Sequence, residues 1–236
     1  MRTTLAAAVL ACCAGAAHSR PANDPSGGWL SYAKFTAKPT DTITRMSADM
    51  VVPDTPTKHG GYPAFWFGLQ TEKGDGALVQ PIMAKFLGRG FNMFEEIFDW
   101  TDESDEQTKP NPVKAGDVIS ASVQFVKADR SYNMNMTCLH CGKTSNYNYK
   151  LKAKQVATES VGYFVLEHQP QSCAELPPSG VVHWTNIQVE VNGQPVANPK
   201  WVAAEESPKC GAKVCAVQWH PTWPIGCQNP PHSVTP

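Results

Sequence analysis

The chain has 236 residues, of which 42% are hydrophobic and 17% charged, with a formal net charge of −1 at pH 7. This near-neutral balance gives no electrostatic reason to expect a nucleic acid or a membrane surface as a partner. Beyond the N-terminal segment, no stretch approaches the roughly 18 consecutive apolar residues that a membrane-spanning helix needs. We therefore expect a globular protein, and we expect it to be a monomer.

The N-terminal segment has the layout of a secretory signal peptide. Met1 and Arg2 form a short basic start, residues 5–17 are apolar and rich in Ala and Leu, and small residues follow at Ala17-His18-Ser19. The apolar run is too short to cross a bilayer. An N-terminal helix of the folded domain is the alternative. We predict a signal peptide over residues 1–19 and hence a secreted, extracellular protein.

Two further regions follow the predicted signal peptide. About 215 residues remain after it, which is enough for one sizeable β domain with its own core. The alternating strand pattern fades near residue 200, and the remainder is rich in Cys and Pro. We predict a β-sandwich domain over residues 27–200 and a C-terminal extension over residues 201–236.

Short strand-like runs joined by turn residues fill the chain from Trp29 onward, with almost no helical periodicity. Residues 119–125 alternate between apolar and polar side chains, as do residues 132–137 and 181–191. Such alternation places one face of a strand in a core and the other in water. Asn192-Gly193 is a strong hairpin signal. The pattern predicts an all-β, antiparallel sandwich or barrel.

Polar groups interrupt the apolar runs between residues 62 and 100. They are Gln80, Glu95, Glu96 and Asp99. A polar group among large aromatics costs free energy unless it is paired or used. By the period of two in a strand, one face carries Phe94, Glu96, Phe98 and Trp100, and the opposite face carries Glu95, Ile97 and Asp99.

A further carboxylate, Glu167, ends the apolar run of residues 161–167 and shares a face with Val165, Tyr163 and Val161. A carboxylate on a face with aromatic residues suits the lining of a substrate groove. A strand-end carboxylate that simply reaches solvent is the alternative.

Six cysteines remain once Cys12 and Cys13 leave with the predicted signal peptide. They are Cys138, Cys141, Cys173, Cys210, Cys215 and Cys227. An even number in an exported chain favours disulfides, here up to three of unspecified pairing. Structural zinc needs four ligands, usually from two CxxC pairs, and the chain has only Cys138-Leu-His-Cys141. We therefore expect no metal and no cofactor.

Asn135-Met136-Thr137 matches the acceptor sequence for N-glycosylation. Asn135 is therefore a candidate glycosylation site, provided that the host glycosylates exported proteins.

The order of these segments resembles that of the glutamic peptidases, or eqolisins, which are exported acid proteases on a lectin-like sandwich. The resemblance covers roughly residues 28–196, and it rests on order and spacing more than on any one motif. The matching segments are Gly28-Trp29, Met50-Val-Val-Pro53, Trp66-Phe-Gly-Leu-Gln70, Leu78-Val-Gln80-Pro81, Phe94-Glu-Glu96-Ile-Phe98, Gly116-Asp-Val-Ile119 and Gly162-Tyr-Phe-Val-Leu-Glu167.

This resemblance implies a concanavalin-like jelly roll with Gln80 and Glu167 as the catalytic pair. Glu167 would act as general base on a water, and Gln80 would donate a hydrogen bond to the oxyanion. The groove that binds a polypeptide substrate would be lined by Trp66, Phe94, Glu96, Phe98 and Trp100. The sequence departs from the family at Pro81, which follows the glutamine, and at Ile97, which replaces an aromatic residue.

Two other functions fit the same residues. In a lectin-like sandwich that binds carbohydrate without catalysis, the aromatic residues would stack on sugar rings. In a glycoside hydrolase, Glu96 and Glu167 would form the required carboxyl pair. Gln80 discriminates, because it is expected only for the peptidase. The chain has no Gly-x-Ser-x-Gly nucleophile elbow, which argues against a serine hydrolase of that class.

Overall fold

The computed structural model describes residues 28–56, 62–86, 90–157, 159–167, 173–178 and 182–205. A single-turn 3-10 helix covers Cys173–Glu175. The strands within the described residues are β1 (Trp29–Thr36), β2 (Ile43–Val51), β3 (Ala64–Gln70), β4 (Ala77–Lys85), β5 (Phe91–Asp99), β6 (Ser104–Gln107), β7 (Asn111–Pro112), β8 (Val118–Val126), β9 (Ser131–Cys138), β10 (Thr144–Lys150), β11 (Val161–Glu167), β12 (Trp184–Val191), β13 (Gln194–Pro195) and β14 (Val202–Glu205).

The strands form two antiparallel sheets. The first sheet has the order β14-β1-β11-β3-β4-β5-β6, with β7 also paired to β5. The second sheet has the order β10-β9-β8-β2-β12-β13. This arrangement confirms the predicted all-β antiparallel sandwich. The part of the chain that the structure describes contains no helix long and apolar enough to cross a membrane.

The main core lies between the two sheets, and the alternating strands supply it. In β8, Ile119, Ala121 and Val123 are buried, whereas the intervening Ser120 and Ser122 are half-exposed. The inward side chains of both sheets form one apolar cluster. Each fully buried large aliphatic or aromatic side chain contributes about 1.5–3 kcal/mol relative to exposure. The burial pattern explains why the alternation in the sequence predicts the faces of these strands.

The predicted hairpin at Asn192-Gly193 is present between β12 and β13. Asn192 has φ of 52° and Gly193 has φ of 76°. Two successive residues in the left-handed region match a two-residue turn whose twist suits antiparallel strands.

The first sheet continues past residue 200, where we place the start of the C-terminal extension. β14 pairs with β1, and the buried ring of Trp201 packs on Phe35 and Phe164 at centroid distances of 5.7 and 5.1 Å. The first part of the predicted extension is therefore built into the sandwich. The predicted signal peptide, and Cys210, Cys215 and Cys227, lie outside the described residues.

Candidate active site

Pairing of β4 with β5 brings Gln80 next to Glu96. These two residues are direct partners in the register of the two strands. The Gln80 side-chain amide donates from Nε2 to Glu96 Oε1 at 3.0 Å, and Gln80 is only 3% exposed. Both side chains lie on the outer face of the first sheet, where a second apolar cluster surrounds them. The structure thus joins two of the residues that the sequence predicts for the site.

Glu167 reaches the same face from β11, two strands away from β4. β3 lies between them, and its residue Trp66 pairs with Val165 in β11. The indole Nε1 of Trp66 donates to Glu167 Oε2 at 3.0 Å. Trp66 is itself fully buried and packs edge-on against Trp29 at 5.0 Å. A rigid aromatic pair therefore holds the carboxylate in place.

The two carboxyl groups of this face affect each other electrostatically. Burial raises the pKa of Glu96 to about 8, and the negative charges of Glu167 and Asp105 add to the rise, while the hydrogen bond from Gln80 opposes it. Glu96 is therefore protonated in acid and near-neutral solution. A protonated Glu96 can accept the hydrogen bond from Gln80 without carrying a negative charge.

β3 and β4 approach each other unusually closely at Gly68. A Cβ placed on Gly68 would lie 2.6 Å from the Val79 carbonyl oxygen and 3.3 Å from Gln80 Cβ. The ladder between these strands skips Phe67 and Gly68. Pro81 pairs with Glu95 of β5, but the backbone N–H and C=O of Glu95 bond to Thr108, on the side of β5 away from β4. The backbone nitrogen of Pro81 therefore faces β3, where the ladder is interrupted, and proline has no N–H to donate there. The departure from the family pattern at Pro81 thus coincides with a break in the pairing of β3 with β4 beside Gln80.

A second hydrogen-bonded chain borders the site. Trp100 Nε1 donates to Gln70 Oε1 at 3.2 Å, and Gln70 Nε2 donates to the Tyr163 hydroxyl oxygen at 3.3 Å. Gln70 and Tyr163 are buried. The sequence predicted no role for Gln70, Tyr163 or Gly68. It placed Trp100 in the groove and Tyr163 on the face of Glu167, but it did not predict the bonds between them, because these contacts join strands distant in sequence.

The predicted groove residues differ in how much of each is open to a ligand. Trp66 and Phe94 are 0% and 4% exposed. Phe98 and Trp100 are half-exposed and pack edge-on at 4.6 Å. Trp66 therefore lies beneath the surface, where it donates a hydrogen bond to Glu167. Of the predicted aromatic residues, Phe98 and Trp100 are the ones that a ligand can reach.

Glu95 points to the opposite face, as the strand period predicts. It is fully buried between the sheets, where its Oε2 accepts hydrogen bonds from Ser145 Oγ at 2.5 Å and Thr108 Oγ1 at 2.7 Å. Burial raises the pKa of Glu95 despite these two bonds. Glu95 ties β5 to the second sheet and is not part of the site.

Cys138 and Cys141 form a disulfide that closes the hairpin between β9 and β10, with a Cα–Cα distance of 5.4 Å. This confirms a disulfide among the six predicted cysteines, whose pairing the sequence left open. The Asp117 carboxylate lies near both sulfurs. Zinc binds the thiolate form of cysteine, which sulfurs joined in a disulfide do not provide.

The chain is similar to known proteins in its sequence pattern and in its fold. A model of the peptidase A4 family matches residues 29–216. A crystal structure of scytalido-glutamic peptidase with a transition-state analog inhibitor superimposes with a TM-score of 0.55 at 18% identity, covering 72% of this chain and 83% of that one. SCP-B, an eqolisin-family peptidase in complex with the tripeptide Ala-Ile-His, gives 0.52 at 17% identity, with coverages of 72% and 82%. At these identities the structural likeness shows the fold. No curated protein matches the chain at a significant level.

Proposed function

Because the chain belongs to the peptidase A4 family, we propose that it is an exported endopeptidase that acts in acid, with Glu167 as general base and Gln80 as oxyanion donor. The observation that carries the proposal is the convergence of Gln80, Glu96 and Glu167 on one face through two 3.0 Å hydrogen bonds, Gln80–Glu96 and Trp66–Glu167. The tripeptide bound to SCP-B supports a polypeptide as the substrate.

Glu167 begins the reaction in the proposed mechanism. Its carboxylate takes a proton from a water molecule while the water oxygen attacks the carbonyl carbon of the scissile peptide bond. The indole N–H of Trp66 stabilises the ionised carboxylate and fixes its orientation. Glutamate side chains ionise in acid solution and Glu96 keeps its proton there, so we expect activity to peak in acid.

Gln80 stabilises the negative charge that develops on the carbonyl oxygen. Its side-chain nitrogen carries two hydrogens, one of which bonds to Glu96. The other is the donor for the oxyanion. A single preorganised donor of this kind is worth about 10²–10³ in rate.

Collapse of the tetrahedral intermediate completes the cycle. Glu167 returns its proton to the nitrogen of the leaving amine as the carbon–nitrogen bond breaks. Glu96, protonated at the working pH, holds the Gln80 amide without adding a second negative charge near the oxyanion. The mechanism thus gives each of the three polar residues a task.

The two alternative functions gain less support. Two of the four aromatic residues that would stack on a sugar, Trp66 and Phe94, are buried. A glycoside hydrolase uses two carboxyl groups and leaves Gln80 without a task. The peptidase proposal gives a role to all three polar groups.

The test is cleavage of a denatured protein at acid pH by the oxidised mature protein. We expect Gln80→Ala to lower kcat/KM by about 10²–10³-fold and Glu167→Gln to lower it by at least about 10²-fold. Gln124→Ala and Glu190→Gln make the same changes on the second sheet and should retain wild-type activity. No cleavage by the wild type, or equal cleavage by all variants, would refute the proposal.

A further inference from the structure

The second sheet carries a polar groove on its outer face, away from the candidate active site. Its volume is about 550 Å³, and its lining includes Ser47, Ser122, Asn135, Thr137 and Gln188. These side chains come from β2, β8, β9 and β12. The groove shares no residue with the face that holds Gln80 and Glu167.

Asn135 lies in this groove with a free carboxamide. The residue is exposed, and its side chain makes no hydrogen bond to any residue that the structure describes. By contrast, the neighbouring Asn133 and Asn148 on the same face bond to each other. The amide nitrogen of Asn135 is therefore available for covalent modification.

The residues around Asn135 complete an acceptor site. Asn135-Met136-Thr137 is the only Asn-x-Ser/Thr triplet with x other than Pro in the 236 residues. Because strand residues alternate, Asn135 and Thr137 both face the groove, while Met136 is fully buried in the core. Asn135 and Thr137, the two residues that the acceptor sequence requires, are thus open to solvent, exposed and half-exposed respectively, while Met136 between them is held in the core.

The groove floor suits a sugar ring. Within the groove, Ser122 in β8 lies directly across from Asn135, and Ser47 in β2 lies directly across from Ser122. These short polar side chains leave room for a ring and offer donors and acceptors for its hydroxyl groups. Leu139, 53% exposed at the rim, offers an apolar contact for an N-acetyl methyl group.

We propose that Asn135 carries an N-linked glycan whose first N-acetylglucosamine lies in this groove. In the transfer, the side-chain nitrogen of Asn135 forms a bond to C1 of the sugar and loses a proton. The bond from C1 to the pyrophosphate of a lipid-linked oligosaccharide donor breaks, and the lipid pyrophosphate leaves. The proposal depends on export of the chain and not on its peptidase activity.

The modification is tested on protein purified from the medium of eukaryotic cells that N-glycosylate exported chains. Peptide mapping by mass spectrometry should find hexose and N-acetylhexosamine on Asn135. Asn135→Gln and Thr137→Ala should abolish the glycan, and Thr137→Ser should retain it. Unmodified Asn135 in the secreted wild type would overturn the proposal. Acid proteolysis, measured on the same samples, is expected to be unchanged by loss of the glycan, so failure of one proposal is separable from failure of the other.

The position of the sugar is tested by the rate at which a peptide N-glycosidase releases the glycan. We expect release from the native protein to be several-fold slower than from the unfolded protein. Ser47→Tyr, which fills the groove, should speed release from the native protein, whereas Lys150→Tyr, at the far end of the edge strand β10, should not. Equal rates for native and unfolded wild type would overturn the placement in the groove.

Discussion

Three glutamates of the first sheet show how the environment of a residue sets its role. Glu95 faces the core and bonds to Ser145 and Thr108. Glu96, its neighbour in sequence, faces outward and accepts the Gln80 amide, and burial with the nearby charge of Glu167 raises its pKa to about 8. Glu167 accepts the indole N–H of Trp66. Identical side chains thus become a link between sheets, a proton-bearing support and a candidate base.

Glu96→Gln tests the protonated state assigned to Glu96. An uncharged amide has nearly the shape of a protonated carboxyl group, so we expect kcat/KM in acid to stay near that of the wild type. The decline in activity that follows ionisation of Glu96, near its pKa of about 8, should disappear. The measurement is the pH profile of kcat/KM for both proteins.

Glu96→Ala is the matched control for this change. It removes the acceptor that holds Gln80 Nε2, and loss of one such hydrogen bond, about 1.5 kcal/mol, lowers kcat/KM by roughly 10-fold. If Glu96→Gln were instead as inactive in acid as Glu167→Gln, Glu96 would have to act in its ionised form, and the assignment would be wrong.

At the scale of elements, the site depends on how closely β3 and β4 approach each other. Gly68→Ala places a methyl group 2.6 Å from the Val79 carbonyl oxygen, so β4 must move and carry Gln80 with it. A displacement near 1 Å in a catalytic group costs about 10²-fold in rate, and we expect a loss of that order in kcat/KM.

Gly90→Ala is the control for this substitution, because its nearest neighbour would be the Val113 carbonyl oxygen at 3.9 Å. We expect it to leave both activity and the urea midpoint of unfolding unchanged. Wild-type activity in Gly68→Ala would show that Gln80 tolerates a shift of β4, contrary to the geometry.

The strands themselves could be predicted from the sequence, but their neighbours could not. Alternation in residues 119–125 fixes which face is buried, and Asn192-Gly193 fixes a hairpin, because both signals are local. The insertion of β11 between β1 and β3 depends on pairing across about a hundred residues. The contact of Trp66 with Glu167, and the need for Gly68, follow from that pairing. For this reason the resemblance to a family could propose Gln80 and Glu167 as the catalytic pair and Trp66 and Glu96 as groove residues, whereas the hydrogen bonds among these four appear only in the structure.

At the scale of the whole molecule, buried carboxyl groups make the stability of the folded protein depend on pH. Burial raises the pKa of Glu95, Glu96 and Glu159, and Glu159 is fully buried. In the folded protein these groups keep protons that the unfolded chain releases near the ordinary value of 4.5. The stability that these protonated groups contribute to the folded protein is fully present below that value, and it is lost as pH rises through their pKa values in the folded protein. Asp99 acts in the opposite sense. Burial raises the pKa of Asp99, but hydrogen bonds, chiefly from Lys152, lower it by more, so the pKa is lowered overall. The stability that ionised Asp99 contributes is therefore lost in strong acid.

These opposite effects predict greatest stability in mild acid. We expect the urea midpoint of unfolding to be lower at about pH 8 than at about pH 5. Glu159→Gln, which replaces the buried acid by a neutral amide, should reduce this difference. A midpoint that is equal at both pH values, or a Glu159→Gln variant with the full wild-type difference, would contradict the assignment of Glu159 as a proton-bearing group of the fold.

The central claim is that Gln80 and Glu167 act on one reacting peptide bond. Its most direct test is kcat/KM in acid for the wild type, Gln80→Ala, Glu167→Gln and the double variant, all measured on one peptide substrate. Residues that work as a unit give strongly non-additive losses. The mechanism predicts that the double variant is about as impaired as the worse single variant. Losses that multiply across the two substitutions would show that the amide and the carboxylate act independently, and would contradict the claim.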